Sequence, residues 1–216
     1  MKQPSKDIIE FVKARILPVY EVMLEYKRNH IDYVLRRSIL FASQVMDEPV
    51  DVDMVYLIAA YHDLGEIVDR KTHEHVGAKM LREDERLQKF FTQEQIEIMA
   101  QAVEDHRASG KTEPRTVYGR IVSSADRTTS VDDIMRLSYG FRADKGMSLH
   151  EMIDDGYKHL CEKYGENGYA LGKMYFDDPE FEEFKKQTIA LSKDRKAYEE
   201  RFLMANGIKL DMNGFK

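Results

Sequence analysis

The sequence predicts an all-α protein, and three observations carry that expectation. Apolar residues recur at three- and four-residue spacing along most of the chain, the period of an amphipathic helix. Only 5 prolines and 12 glycines punctuate 216 residues, so few breakers interrupt that pattern. The hydrophobic fraction of 43% can bury a substantial core and is too high for a disordered chain.

The elements follow in order. Ile8, Ile9, Val12 and Ile16 predict an opening helix over 5–17, which Pro18 ends or kinks. A short second helix reaches about residue 27. A third begins near His30 and carries Ile31, Val34, Leu35, Ile39, Ala42 and Val45. The stretch 54–64 opens Met-Val-Tyr-Leu-Ile-Ala-Ala-Tyr, apolar on every side, as expected of a helix buried in the centre. Asp51 or Asp53 is its expected cap. An amphipathic helix follows over 72–83. Thr92 starts a longer one, with Glu94 and Gln95 early and Ile96, Met99, Ala100 and Val103 as its buried stripe. A loop over 109–114 leads to a helix over 116–125. Beyond Val131, Gly140, Gly146, Gly156, Gly165, Gly168 and Gly172 separate further helices, and Pro179 opens a last one expected to reach Ala205. No repeat, low-complexity tract or Pro/Ser linker divides the chain. The expected organisation is a helical domain over 1–145 and a helical extension over 146–216 packed on it.

Composition narrows the function classes. No run of about 18 apolar residues offers a membrane span, and residues 1–7 lack the apolar core of a signal peptide. The single cysteine, Cys161, excludes an internal disulfide and makes a cytoplasmic protein the expectation. A net charge of −6 argues against general nucleic-acid binding, yet permits a locally basic pocket for one small anion.

The chemistry gathers around the histidines. His62 and Asp63 stand together at the end of the most apolar helix. His106 continues the Met99–Val103 stripe, and Asp126 lies four residues past Val122. Imidazoles and carboxylates on inward-facing stripes are costly to bury unless they are paired or bound to metal. A bland reading needs a separate hydrogen bond for each of them, whereas a metal site needs one explanation. Neutral imidazole plus carboxylate without thiolate suits Mn, Fe, Co, Ni or Zn.

These residues resemble the HD-domain superfamily of metal-dependent phosphohydrolases. The likeness rests on His30, on His62-Asp63 in Ala-Ala-Tyr-His-Asp-Leu-Gly-Glu, and on Asp126 in Ser-Ser-Ala-Asp-Arg. Two further histidines match members with an extended set: His73 in His-Glu-His-Val-Gly-Ala and His106 in Glu-Asp-His-Arg-Ala-Ser-Gly. The resemblance covers about residues 29–127. It implies a helical core in which His30, His62, Asp63 and Asp126 hold one divalent ion, while His73 and His106, with Asp63 bridging, hold a second. One or two ions among Fe, Mn, Co, Ni, Zn and Mg are thus expected. His75 competes with His73 as a ligand; on a helix the two point about 200° apart, so one alone faces the site.

Around that set, Glu66 orients or deprotonates a water, or is a surface carboxylate at a helix end. Arg70, Lys71, Arg107, Lys111 and Arg127 contact a substrate phosphate or are solvated charges. Asp105 orients His106 or lies on the surface. His150, His159 and Cys161 have no motif around them. Tyr157, Tyr164, Tyr169, Tyr175 and Phe176 stack on a base or pack the extension, and the final helix supports a lid or forms a dimer surface, which leaves a homodimer open. The resemblance implies hydrolysis of a small anionic phosphorylated substrate, a nucleotide by preference, through a metal-activated water, with Asp63 and Glu66 as the catalytic pair. The alternative is a catalytically silent regulatory module that binds nucleotide or metal.

Overall fold

The computed structural model describes residues 2–23, 25–107 and 112–209, and every regular element among them is helical. They divide into two compact units, residues 1–127 with 174–177, and residues 128–173 with 178–216.

In the first unit, Ser5 caps α1 (Lys6–Arg15) by accepting from the Ile8 N–H, and Ile8 and Val12 are buried. Pro18 stands in the first turn of α2 (Leu17–Glu21), where its missing N–H costs nothing. The second helix ends at Glu21 rather than near residue 27, because α3 (Glu25–Ala42) starts five residues before His30. Glu25, Lys27 and Arg28 are good helix formers, so nothing delays the start and His30 lies one turn inside the helix. Asp51, rather than Asp53, caps α4 (Val52–Tyr61) by accepting from the Asp53 N–H. Met54, Val55, Leu57, Ile58, Ala59, Ala60 and Tyr61 of α4 are all buried. This is the expected central helix, and α1, α3, α6 and α7 surround it. It stops at Tyr61, and a 3-10 turn, Leu64–Ile67, completes the predicted 54–64 stretch.

Next come α5 (His73–Glu83) and α6 (Gln93–Glu104), which pack on each other. Thr92 and Gln95 form a reciprocal capping box at the start of α6. Thr116 caps α7 (Val117–Ala125), which packs on α3. The short segment 174–177 belongs to this unit too. Phe176 stacks on Phe41 at 5.4 Å, and the Gln44 amide exchanges two 2.9 Å hydrogen bonds with the Asp177 backbone.

The second unit holds α8 (Val131–Ala143), α9 (Leu149–Tyr164), α10 (Pro179–Lys193) and α11 (Arg195–Ala205) around Met135, Ile153, Leu160, Phe181, Phe184, Tyr198 and Phe202. The boundary falls after Arg127, not near residue 145, because α8 packs on α9 and α11. The single helix expected over 179–205 is two. Asp194 adopts an extended backbone and caps α11 by accepting from the Ala197 N–H, an N-cap preference that ends one helix and starts another. No helix among the described residues is long and apolar enough to cross a membrane.

Candidate metal centre

The site begins where α4 ends. The last carbonyls of a helix lack partners within it, and here side chains supply them. The Nδ1–H of His62 donates to Ala59 O at 2.7 Å, and the fully buried Tyr20 hydroxyl donates to Ala60 O at 3.0 Å. With the chain end satisfied this way, Asp63 turns out of the helix and its carboxylate faces inward, 5% of the residue exposed.

Gly65 then brings the next helix against this turn. A Cβ there would lie 2.6 Å from Gly77 N and closer still to His73 O, so only glycine allows the approach. His73, the first residue of α5, is thereby set beside Asp63, and its Nδ1–H donates to Arg70 O at 2.9 Å. His106 follows the end of α6 and repeats the arrangement, donating from Nδ1 to Val103 O at 2.6 Å. Three histidines therefore share one device: each bonds the carbonyl three residues before it. That bond holds the proton on Nδ1 and leaves the Nε2 lone pair facing inward.

His30 from α3 and Asp126 at the end of α7 complete the set, with His30 Nε2 3.0 Å from Asp126 Oδ1 and 3.3 Å from His62 Nε2. The Tyr33 hydroxyl donates to Arg127 O at 3.0 Å and ties α3 to the residue after Asp126. Two groups result, His30–His62–Asp126 and Asp63–His73–His106, each with its ligand atoms within 4.8 Å of one another. Asp63 serves both. Its Oδ2 is 3.6 Å from His30 Nε2 and 3.5 Å from His62 Nε2. Its Oδ1 is 3.3 Å from His73 Nε2 and 3.8 Å from His106 Nε2.

The electrostatics suit a cation. His73 and His106 bring two Nε2 atoms within 3.2 Å of each other in a buried site. Since each already donates from Nδ1, two lone pairs face one another, and a shared cation satisfies both. Burial pushes the His62 imidazole down, but the adjacent Asp63 and Asp126 carboxylates raise it to about 9. Burial, aided by the nearby His62, pushes His106 down to about 4. Burial favours a protonated Asp126, yet the His30 hydrogen bond and the His62 charge hold its carboxyl below the usual range. The donor set thus fits divalent metal. His30 and Asp126 are half-buried whereas Asp63, His73 and His106 are buried, so the first group is the more open.

The other expected residues fall variously. His75 is exposed on α5 and lies outside both groups. Glu66 is half-buried in the 3-10 turn, and its charge joins those of Asp63 and Asp126 in raising the Tyr20 hydroxyl, whose burial is the larger cause. Arg70 and Lys71 are exposed in the loop before His73. Arg107 Nη1 donates to Glu74 Oε1 at 3.0 Å and to Lys71 O at 3.1 Å. Lys111 lies outside the described residues. Arg127 is buried, which lowers its guanidinium against the pull of Asp126. Asp105 faces Arg115, accepting from its backbone N–H at 2.8 Å and from its guanidinium, so its carboxylate is not directed at His106. Sequence reasoning missed Tyr20, Tyr33 and Glu74, none of which stands in a recognisable pattern. Gly65 did carry a signal, as the glycine inside His-Asp-Leu-Gly-Glu.

Residues 29–130 match the family model of the HD domain, a span that contains all six ligand-type residues. The fold and the donor set define an all-helical domain whose side chains are able to hold divalent metal, and the matched segment, residues 29–130, is an HD domain. Among solved structures it is similar to the crystal structure of a predicted HD superfamily hydrolase from an uncultured Thermotogales bacterium. The two are 18% identical, over 74% of this chain and 90% of that one, with a TM-score of 0.46. No curated protein matches the chain.

Proposed function

We propose that the protein is a metal-dependent phosphohydrolase acting on a nucleotide or another small phosphoester. The observation that carries this reading is the placement of Asp63, whose two oxygens face the two ligand groups separately. His30, His62, Asp126 and Asp63 would hold one ion; His73, His106 and Asp63 would hold another. Imidazole and carboxylate donors favour Mn, Fe, Co, Ni or Zn over Mg. Divalent ions bound there supply an activated water and Lewis-acid stabilisation of phosphoryl oxygens.

The chain's own residues do the rest. Backbone carbonyls hold three imidazoles with Nε2 inward, so little reorganisation is needed when substrate arrives. Glu66, half-buried three residues after Asp63, would orient the attacking water and take its proton. Arg70 and Lys71 offer exposed positive charge ahead of His73, and the guanidinium of the buried Arg127 stands beside Asp126. With a net charge of −6, attraction for an anionic substrate is local, from the ions and these few cations.

The test is product release from a panel of nucleotides and small phosphomonoesters and diesters, with Mn, Co, Ni and Mg supplied separately. Release that requires a transition metal and disappears in Asp63→Ala is the expected outcome; inorganic phosphate marks a monoesterase and a nucleoside monophosphate a diesterase. A wild-type protein that binds metal yet turns over nothing in the panel would point instead to a diester substrate outside the panel or to a silent regulatory module.

A further inference from the structure

The two histidines of the more buried ligand group are each followed by a charged residue, Glu74 after His73 and Arg107 after His106. These two followers meet. Arg107 Nη1 donates to Glu74 Oε1 at 3.0 Å, and the same nitrogen donates to Lys71 O at 3.1 Å. The other carboxylate oxygen, Glu74 Oε2, is buried without a hydrogen-bond partner among the described residues. It lies 3.6 Å from His73 Nδ1, on the side of the ring opposite the ligand atom. The Nδ1–H of His73 therefore sits between Arg70 O and a carboxylate.

We propose that Glu74 and Arg107 are positioning residues for an ion held by Asp63, His73 and His106. The inference rests on reading that group as an ion site. Two effects follow from the geometry. The ion pair ties the entry of α5 to the exit of α6, which fixes the spacing of the two Nε2 atoms, 3.2 Å in this structure. The Glu74 charge also stabilises the positive charge that the His73 ring acquires when Nε2 binds a cation, and so makes that nitrogen a better donor. A bland role is available to Glu74 as well, because an acid in the first turn of a helix favours the helix dipole. That role predicts a change in stability alone, with no change in metal affinity.

Cobalt(II) titration of the metal-free full chain separates the two. Visible absorbance reports the coordination of each ion, bound cobalt is counted after gel filtration, and melting of the metal-free protein reports stability. Glu74→Gln keeps the volume and an acceptor for Arg107 but removes the charge facing His73. Arg107→Ala breaks the tie, Arg107→Lys restores the charge, and His73→Ala is the control. The wild type is expected to bind two ions. In Glu74→Gln and Arg107→Ala one of them weakens by roughly 10–100-fold while the other is unchanged; Arg107→Lys recovers part of the loss, and His73→Ala loses one ion outright. Wild-type affinities in both variants, with or without a lowered melting temperature, would overturn the proposal and leave only the helix-end role. A wild type that binds one ion and is indifferent to His73→Ala would overturn it too. Phosphoester turnover would then stand or fall separately on the first ligand group.

Discussion

Gly65→Ala would probe how the two ligand groups are brought together. The added methyl would meet Gly77 N at 2.6 Å and His73 O closer still. Both are backbone atoms of α5, so no side chain can swing aside to make room. To reach the 3.4 Å of ordinary contact, α5 must withdraw from the 3-10 turn by ~1 Å or more, since His73 O is nearer than Gly77 N. Forcing a methyl into a packed interface costs about 2 kcal/mol, which lowers the melting temperature of a chain this size by about 4–8 °C. The larger effect falls on the site. His73 moves with α5 whereas Asp63 stays with α4, so the 3.3 Å between His73 Nε2 and Asp63 Oδ1 lengthens by a similar distance. Metal coordination tolerates only about 0.2 Å. The variant should therefore bind one ion where the wild type binds two, read by metal content after gel filtration, with thermal unfolding measured on the metal-free protein. If Gly65→Ala melts like the wild type and keeps both ions, the close approach of Gly65 to α5 does not set the site.

Two further expectations concern the supports of the unit. Tyr20→Phe removes the hydroxyl that donates to Ala60 O and should cost about 1–3 kcal/mol in urea unfolding, since that carbonyl is buried at the end of α4; an unchanged midpoint would show that the hydroxyl does not support the His62-Asp63 turn. Arg82 joins α5 to α6 through Glu97 at 2.8 Å and Glu104 at 2.8 Å, and these partly exposed pairs are together worth about 1 kcal/mol. The Arg82 guanidinium holds the Glu97 carboxyl down to about 2. A depressed carboxyl stabilises the fold above its ordinary value of 4.5 and loses that contribution as pH falls toward 2. Arg82→Ala should thus destabilise the protein at neutral pH and flatten the acid side of its stability profile; equal losses at neutral pH and at pH 2 would count against the pairing.

Much of the local structure was legible. Thr92 and Gln95 announce a helix start because capping joins residues three apart, and the apolar stripe of α6 needs only its own periodicity. The run from Met54 to Tyr61 reads as central because no face of it is polar. Two boundaries were less legible. His30 looked like a helix start but lies inside α3, since charged helix formers precede it. Asp194 divides one expected helix into two, because an acid in a charged helix and an acid at a cap look alike until the backbone is seen.

For the site, residue type and order along the chain determined the candidates: imidazoles and carboxylates on apolar stripes have few cheap explanations. What they do together was decided by tertiary structure. His73 and His75 are equivalent by type, and the packing of Gly65 against α5 brings the first, not the second, to Asp63. The inward direction of three Nε2 atoms depends on carbonyls that accept only where each turn is formed. Arg107 and Glu74 are 33 residues apart, and no local pattern foretells their pairing. Periodicity reports which face of a helix is buried. Which atoms meet across that buried face is set by how closely the helices approach, and here a missing Cβ at Gly65 sets that distance.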